Sequence, residues 1–154
     1  MFETIVWATD GSELADRALL HVMELARLHH AKIVAVHANE LLYGRYGGAP
    51  LLADEPDLRA KIEKQVIELR DAGFDIELEL PTGGSDVPLL VAKAADAVGA
   101  DLIVVGTHGH GGIAAAVLGS VARGLLHTAH CPVLAVPPAG KSAEAAEREL
   151  TTAV

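Results

Sequence analysis

The chain has 154 residues, 51% of them hydrophobic and 21% charged, which fits one globular domain with its own core and excludes disordered and fibrous classes. Lys and Arg number 12 against 21 Asp and Glu, for a net charge of −9, and aromatic residues make up only 3%. An acidic surface poor in rings argues against both nucleic acid and an anionic membrane as partners.

The single cysteine, Cys131, can form neither an intrachain disulfide nor a cysteine-rich metal cage, which points to a reducing compartment. No apolar run approaches the ~20 residues of a membrane span. The first residues lead directly into strand-like sequence without a signal-peptide pattern, so the expected location is cytoplasmic.

Thr4 to Thr9 (TIVWAT) is a short apolar run rich in β-branched residues, ending in the turn-forming Asp10-Gly11-Ser12, and it predicts a buried strand. From Ser12 the period becomes helical: Leu14, Ala15, Ala18, Leu19, Val22, Leu25 and Ala26 recur at three- and four-residue intervals. Ser12 is placed to cap this helix, with Glu13 and Asp16 favourable in its first turn. The unit then repeats. Lys32 to Ala38 predicts a second strand, Leu58, Ile62, Val66 and Leu69 a helix closed by Gly73, and Phe74 to Leu80 a third strand. Pro88 lies near the start of a helix carrying Leu90, Val91, Ala94 and Val98 and ended by Gly99. Leu102 to Val105 is a fourth strand, Ala122 to Ala129 a last helix, and Pro132 to Val136 a fifth strand. Continuous apolar strands alternating with helices imply a single α/β domain, an open, doubly wound parallel sheet of five strands covered on both faces.

That domain accounts for residues 1–137. Residues 138–154, an Ala- and Glu-rich stretch with few apolar anchors, read as a loose tail. Asn39 to Pro56 is long for a connection and holds both tyrosines, and it reads either as a mobile flap or as a disordered insertion.

In an open α/β sheet, ligands bind beyond the carboxyl ends of the strands, where the strand order reverses. The residues that follow each strand are therefore the candidates, and the stretch Gly106-Thr107-His108-Gly109-His110-Gly111-Gly112 after the fourth is the most informative. Its glycines permit close backbone approach and a concavity of N–H groups suited to an anion. Gly119-Ser120 stands where the last helix begins, so N–H groups and a hydroxyl face the same anion. No Asp or Glu occurs between Asp101 and Glu144, whereas His108, His110, Arg123, His127 and His130 do. Two other phosphate motifs fail. Gly140-Lys141-Ser142 has Ala135 where a P-loop needs glycine, and Gly109-x-Gly111-x-x-Ala114 follows the fourth strand with no acidic residue downstream to hold a ribose.

The spacing Gly106-x2-Gly109-x9-Gly119-Ser120 resembles the nucleotide signature of the ATP-binding universal stress proteins. Asp10-Gly11-Ser12, Ala35-Val36-His37-Ala38 and Cys131-Pro132-Val133-Leu134 extend the resemblance over nearly the whole domain. It implies a Rossmann-like, adenine nucleotide alpha hydrolase-like sheet in the order 3-2-1-4-5. It also implies an adenine nucleotide as ligand: ATP, with ADP or AMP as alternatives, and Mg2+ as companion. By position, Asp10, flanked by Ala8 and Thr9, is implied to reach the ribose or a metal near the phosphates, and the backbone of Ala38 to hold the adenine. Val105 leads into the loop, and Gly106, His108, Gly109, Gly119, Ser120 and Val121 are implied to take the phosphates. Ala122 departs from the pattern, because binding members often carry a hydroxyl there; the preference among ATP, ADP and AMP stays open.

Taken alone, Asp10 is equally an ordinary turn aspartate before a helix cap, and Gly111-Gly112 a plain flexible connection. His127 and His130 share a helical face, but no third ligand is evident, so they read as structural. Phosphoryl transfer needs a metal, a cationic clamp and a base, for which only Asp10, Ser120 and Arg123 are available. The expectation is a binding protein, with slow ATP hydrolysis as an alternative. The apolar last strand, Val133 to Val136, invites pairing if it lies at a sheet edge, and a second copy gives a homodimer, as the resemblance also implies. The function expected is that of a dimeric regulatory or protective module in the stress response; a dimerisation module without nucleotide is the alternative. Trp7, just before the site, is the expected fluorescent reporter of ligand.

Overall fold

A computed structural model describes residues 1–42, 51–52, 56–108 and 118–139. Its elements in chain order are β1 (Thr4–Ala8), α1 (Glu13–His29), β2 (Lys32–Val36), β3 (Asn39–Leu42), β4 (Leu51–Leu52), α2 (Pro56–Asp71), β5 (Ile76–Glu79), β6 (Thr82–Gly83), α3 (Val87–Ala97), β7 (Leu102–Gly106), α4 (Ser120–Thr128) and β8 (Val133–Val136). Five strands form one parallel sheet in the order β5-β2-β1-β7-β8, which is the 3-2-1-4-5 arrangement.

Alternation along β1 explains why its sequence is apolar throughout. Ile5 and Trp7 face a layer shared with Ala18, Leu19 and Val22 of α1 and with Val66 and Leu69 of α2. Val6 and Ala8 face the opposite layer, with Val91, Ala92 and Ala95 of α3 and Ala122 and Leu125 of α4. A strand with helices on both sides has no solvent face, so the two-residue period of an exposed strand is absent.

The helix boundaries follow local chemistry. Ser12 caps α1, its Oγ accepting the Ala15 amide at 3.2 Å. Gly73 and Gly99 stop α2 and α3 with φ of +93° and +63°, values that glycine tolerates best. Some bounds differ from expectation. β5 starts at Ile76 rather than Phe74, because the Phe74 amide still bonds the Leu69 carbonyl at the end of α2. α4 starts at Ser120 rather than Ala122, the Arg123 amide closing its first turn on Gly119.

Part of the 39–56 connection is regular. β3 pairs in parallel with β6 and antiparallel with β4 in a small second sheet. The amide of Asn39 donates to the Pro81 carbonyl just as that of His37 does to Glu79, so β3 continues the line of β2 beside the extension of β5. The remainder of that connection, and the tail from residue 140, lie outside the described residues.

Candidate functional site

The sheet order reverses between β1 and β7, and a cavity of about 580 Å³ opens beyond their carboxyl ends. Such a volume lies in the range of small-molecule sites. Four segments converge on it: Ala8, Thr9 and Asp10 after β1; Val36, His37 and Ala38 at the end of β2; Val105, Gly106, Thr107 and His108 after β7; and Leu118 to Arg123 at the start of α4. Ala15 of α1 and Val87 and Val91 of α3 complete the wall.

The turn after β1 is fixed by its own side chains. Thr9 Oγ1 accepts the Gly11 amide at 3.1 Å and Asp10 Oδ1 the Ser12 amide at 3.0 Å. His37 Nδ1 lies 3.0 Å from the Thr9 carbonyl oxygen, so β2 braces the same turn from the neighbouring strand. These bonds set the entry to α1 and hold Asp10 at the cavity wall.

The opposite wall is built by a close backbone approach. The Gly119 amide donates to the Thr107 carbonyl at 2.6 Å, and a Cβ on Gly119 would stand 2.7 Å from that oxygen. At Gly106 a Cβ would meet Leu14 Cγ at 3.0 Å and the Leu14 carbonyl oxygen at 3.2 Å. Chain packing on chain thus leaves no room for a side chain at either glycine, and both line the cavity. His108 Nδ1 pairs with Thr107 Oγ1 at 2.9 Å, while its buried Nε2 has no hydrogen-bond partner among the described residues.

The chemistry of the lining is divided. Val36, Val87, Val91, Val105, Leu118 and Val121 supply an apolar surface suited to a flat ring. Thr9, Asp10, His37, Thr107, His108, Ser120 and Arg123 supply the polar groups. Gly119 gives α4 no side-chain cap, and no acidic residue stands in its first turn. The first amides of α4 therefore keep donor capacity and a positive dipole end at the cavity wall.

Of the residues singled out in the sequence, Ala8, Thr9, Asp10, Ala38, Val105, Gly106, His108, Gly119, Ser120, Val121 and Ala122 meet at this cavity. Gly109, with His110 and Gly111-Gly112, lies outside the described residues. Val87 and Val91 carry no site signal in the sequence, because apolar character at helical spacing looks the same whether it faces core or cavity. Thr107, within the loop singled out after the fourth strand, and His37, directly after β2, also line the cavity, although no contact was assigned to either from the sequence.

Other singled-out residues lie elsewhere. Trp7 is fully buried on the α1 side of the sheet and donates from Nε1 to the Ala15 carbonyl at 3.0 Å; it is not part of the cavity wall. His130 pairs through Nδ1 with Asp96 Oδ2 at 2.9 Å, tying the approach to β8 to α3. Cys131 packs against the α3 and α4 layer, where burial, aided by Asp96, pushes its thiol pKa up. Among the described residues, no group of three or more His, Cys, Asp or Glu side chains gathers as a metal site.

The universal stress protein family model matches residues 1–137. Universal stress protein MJ0531 of Methanocaldococcus jannaschii is 32% identical over 147 residues, covering 88% of this chain and 82% of that one. A universal stress protein crystallised in complex with cAMP superposes with a TM-score of 0.63 at 28% identity, covering 88% of this chain and 96% of that one. The universal stress protein from Archaeoglobus fulgidus in complex with dAMP gives a TM-score of 0.59 at 26% identity, with 88% and 98% covered.

Proposed function

Because the chain belongs to the universal stress protein family, we propose that the cavity between β1 and β7 binds an adenine nucleotide, ATP in the first place. The observation that carries this reading is the convergence on one cavity of Asp10, His108, Ser120 and the uncapped start of α4, facing a wall of valines. An adenine ring suits the valine wall, held by the backbone of Ala38. Asp10 faces the ribose. The phosphates lie on Gly106, His108 and Gly109, and on Gly119, Ser120 and Val121, the last three at the start of α4, where helix amides attract negative charge. Mg2+, if taken up, is held by Asp10 together with phosphate oxygens and water, since this ion rarely uses an all-protein cage. Two relatives bound to cAMP and dAMP support the ligand class.

The protein acts in the cytoplasm as a binding module of the stress response, paired with a second copy along β8. β8 is the end strand of the main sheet, and Leu134 on it is 38% exposed. Equilibrium dialysis against labelled ATP, with and without Mg2+, tests the site. Saturable binding by the native chain that is lost in Gly119→Val supports it; equal weak binding by both overturns it. A module that pairs but binds no nucleotide is favoured instead by Ala122, which lines the cavity without a hydroxyl. Release of adenine nucleotide from purified protein on denaturation decides against that alternative.

A further inference from the structure

The turn that carries Asp10 is also held from outside the cavity. Gly11 has φ of +76°, and a Cβ there would lie 3.1 Å from Leu58 Cδ2 and 3.8 Å from Ile62 Cδ1, so α2 rests directly on the turn. Lys61, on the same face of α2, donates from Nζ to the Gly11 carbonyl oxygen at 2.7 Å and to Asp16 Oδ2 at 2.7 Å. Gln65, one helical turn on, donates from Nε2 to Asp16 Oδ1 at 2.8 Å. Lys61 does not line the cavity.

The peptide unit between Gly11 and Ser12 is the link. Its carbonyl end accepts from Lys61, and its N–H end donates to the Asp10 carboxylate at 3.0 Å. A peptide unit is planar, so fixing one end fixes the direction of the other. The geometry points to Lys61 as a positioning residue for the nucleotide site, acting through this one peptide plane to orient Asp10. The inference rests on the reading that Asp10 faces the ligand. It makes α2 a lever on the cavity: removing the charge or reach of Lys61 loosens Asp10 without altering the wall.

The test uses Lys61→Met, which keeps the aliphatic stem and removes the ammonium, with Lys61→Arg as the conservative partner. In Lys61→Met the Ser12 amide exchanges its hydrogen about fivefold faster or more, while that of Val22 in the middle of α1 is unchanged. ATP affinity in equilibrium dialysis falls by about fivefold or more, and Lys61→Arg restores most of both quantities. In an Asp10→Ala background Lys61→Met changes affinity little, because both substitutions act on one contact. Unchanged Ser12 exchange, unchanged affinity, or equal acceleration at Val22 overturns the inference and leaves the nucleotide reading intact. A native chain that binds no ATP overturns that reading and the inference with it.

Discussion

The amide of Gly119 and the carbonyl of Thr107 are joined at 2.6 Å, so the residue before α4 is tied directly to the residue after β7. The Thr107 amide in turn bonds the Val136 carbonyl of β8 at 2.9 Å, anchoring this closure to the sheet. The start of α4 is thus placed against the end of β7 by backbone alone, and the cavity wall inherits the rigidity of the sheet.

A methyl group at residue 119 has no room. Gly119→Ala forces its Cβ toward the Thr107 oxygen, 2.7 Å away on the present backbone, and the segment must shift. The expected cost is about 1–3 kcal/mol in urea unfolding, with ATP affinity reduced because α4 moves off the wall. Native stability and native affinity in this variant would contradict the packing described.

Gly124 stands against Pro88, where an added Cβ would lie 2.5 Å from Cγ and 2.6 Å from Cβ of the proline ring. The ring cannot turn aside as a flexible chain can. Gly124→Ala is expected to destabilise by about 1–3 kcal/mol through separation of α3 from α4. Pro88→Gly in the same chain removes both crowded atoms and should recover part of the loss, and urea titration of the single and double variants measures the coupling.

Asp101 ties the starts of two strands together, its Oδ2 accepting the amides of Glu3 at 2.7 Å and Thr4 at 2.9 Å. These bonds, Thr4 first, hold its carboxyl below the ordinary aspartate range. A folded-state pKa below the unfolded one gives stability that is present above about pH 4 and lost as pH falls through the folded value. Asp101→Asn should therefore melt earlier than the native chain at pH 7. The two melting temperatures should converge in acid, where the native carboxyl is itself neutral; a constant gap across pH would refute the carboxylate's role.

Arg123 brings an exposed cationic side chain to the cavity rim. Arg123→Gln should weaken ATP binding by about 0.5–1 kcal/mol, roughly two- to fivefold, at low ionic strength. The difference should shrink as salt is raised toward 1 M, because exposed charges are screened there. Dialysis at two salt concentrations reads both numbers.

The outer edge of β8 offers donors of its own. The Ile103 amide bonds the Pro132 carbonyl and the Thr107 amide that of Val136, so in a parallel ladder the N–H groups of Val133 and Ala135 face away from β7. Ala135→Pro removes one outward donor and no bond to β7. It should convert a dimer to a monomer in sedimentation with melting of the isolated chain little changed; a dimer that persists would place the contact elsewhere.

Much of the sheet was legible because β1, β2, β7 and β8 are short apolar runs rich in Val, Ile or Leu, while β5 alternates Ile-Glu-Leu-Glu. Their order in space was not carried by the residues themselves and came with the family resemblance. The small sheet of β3, β4 and β6 was not legible, since strands of two to four residues are too short to show a period. Nor was the reason for Gly106 and Gly119: the atoms that exclude their side chains, Leu14 and the Thr107 carbonyl, come from other parts of the chain. The Asp101 clamp spans 98 residues to Glu3, a separation at which no local pattern speaks.

The one indole of this chain sits beneath α1 with its N–H engaged and none of its surface in water. Its N–H bonds the carbonyl of Ala15, which lines the cavity, so its emission is placed to report solvent entry on unfolding and, through that bond, change at the cavity wall. Emission in urea thus follows the fold of each variant above, while dialysis follows the nucleotide.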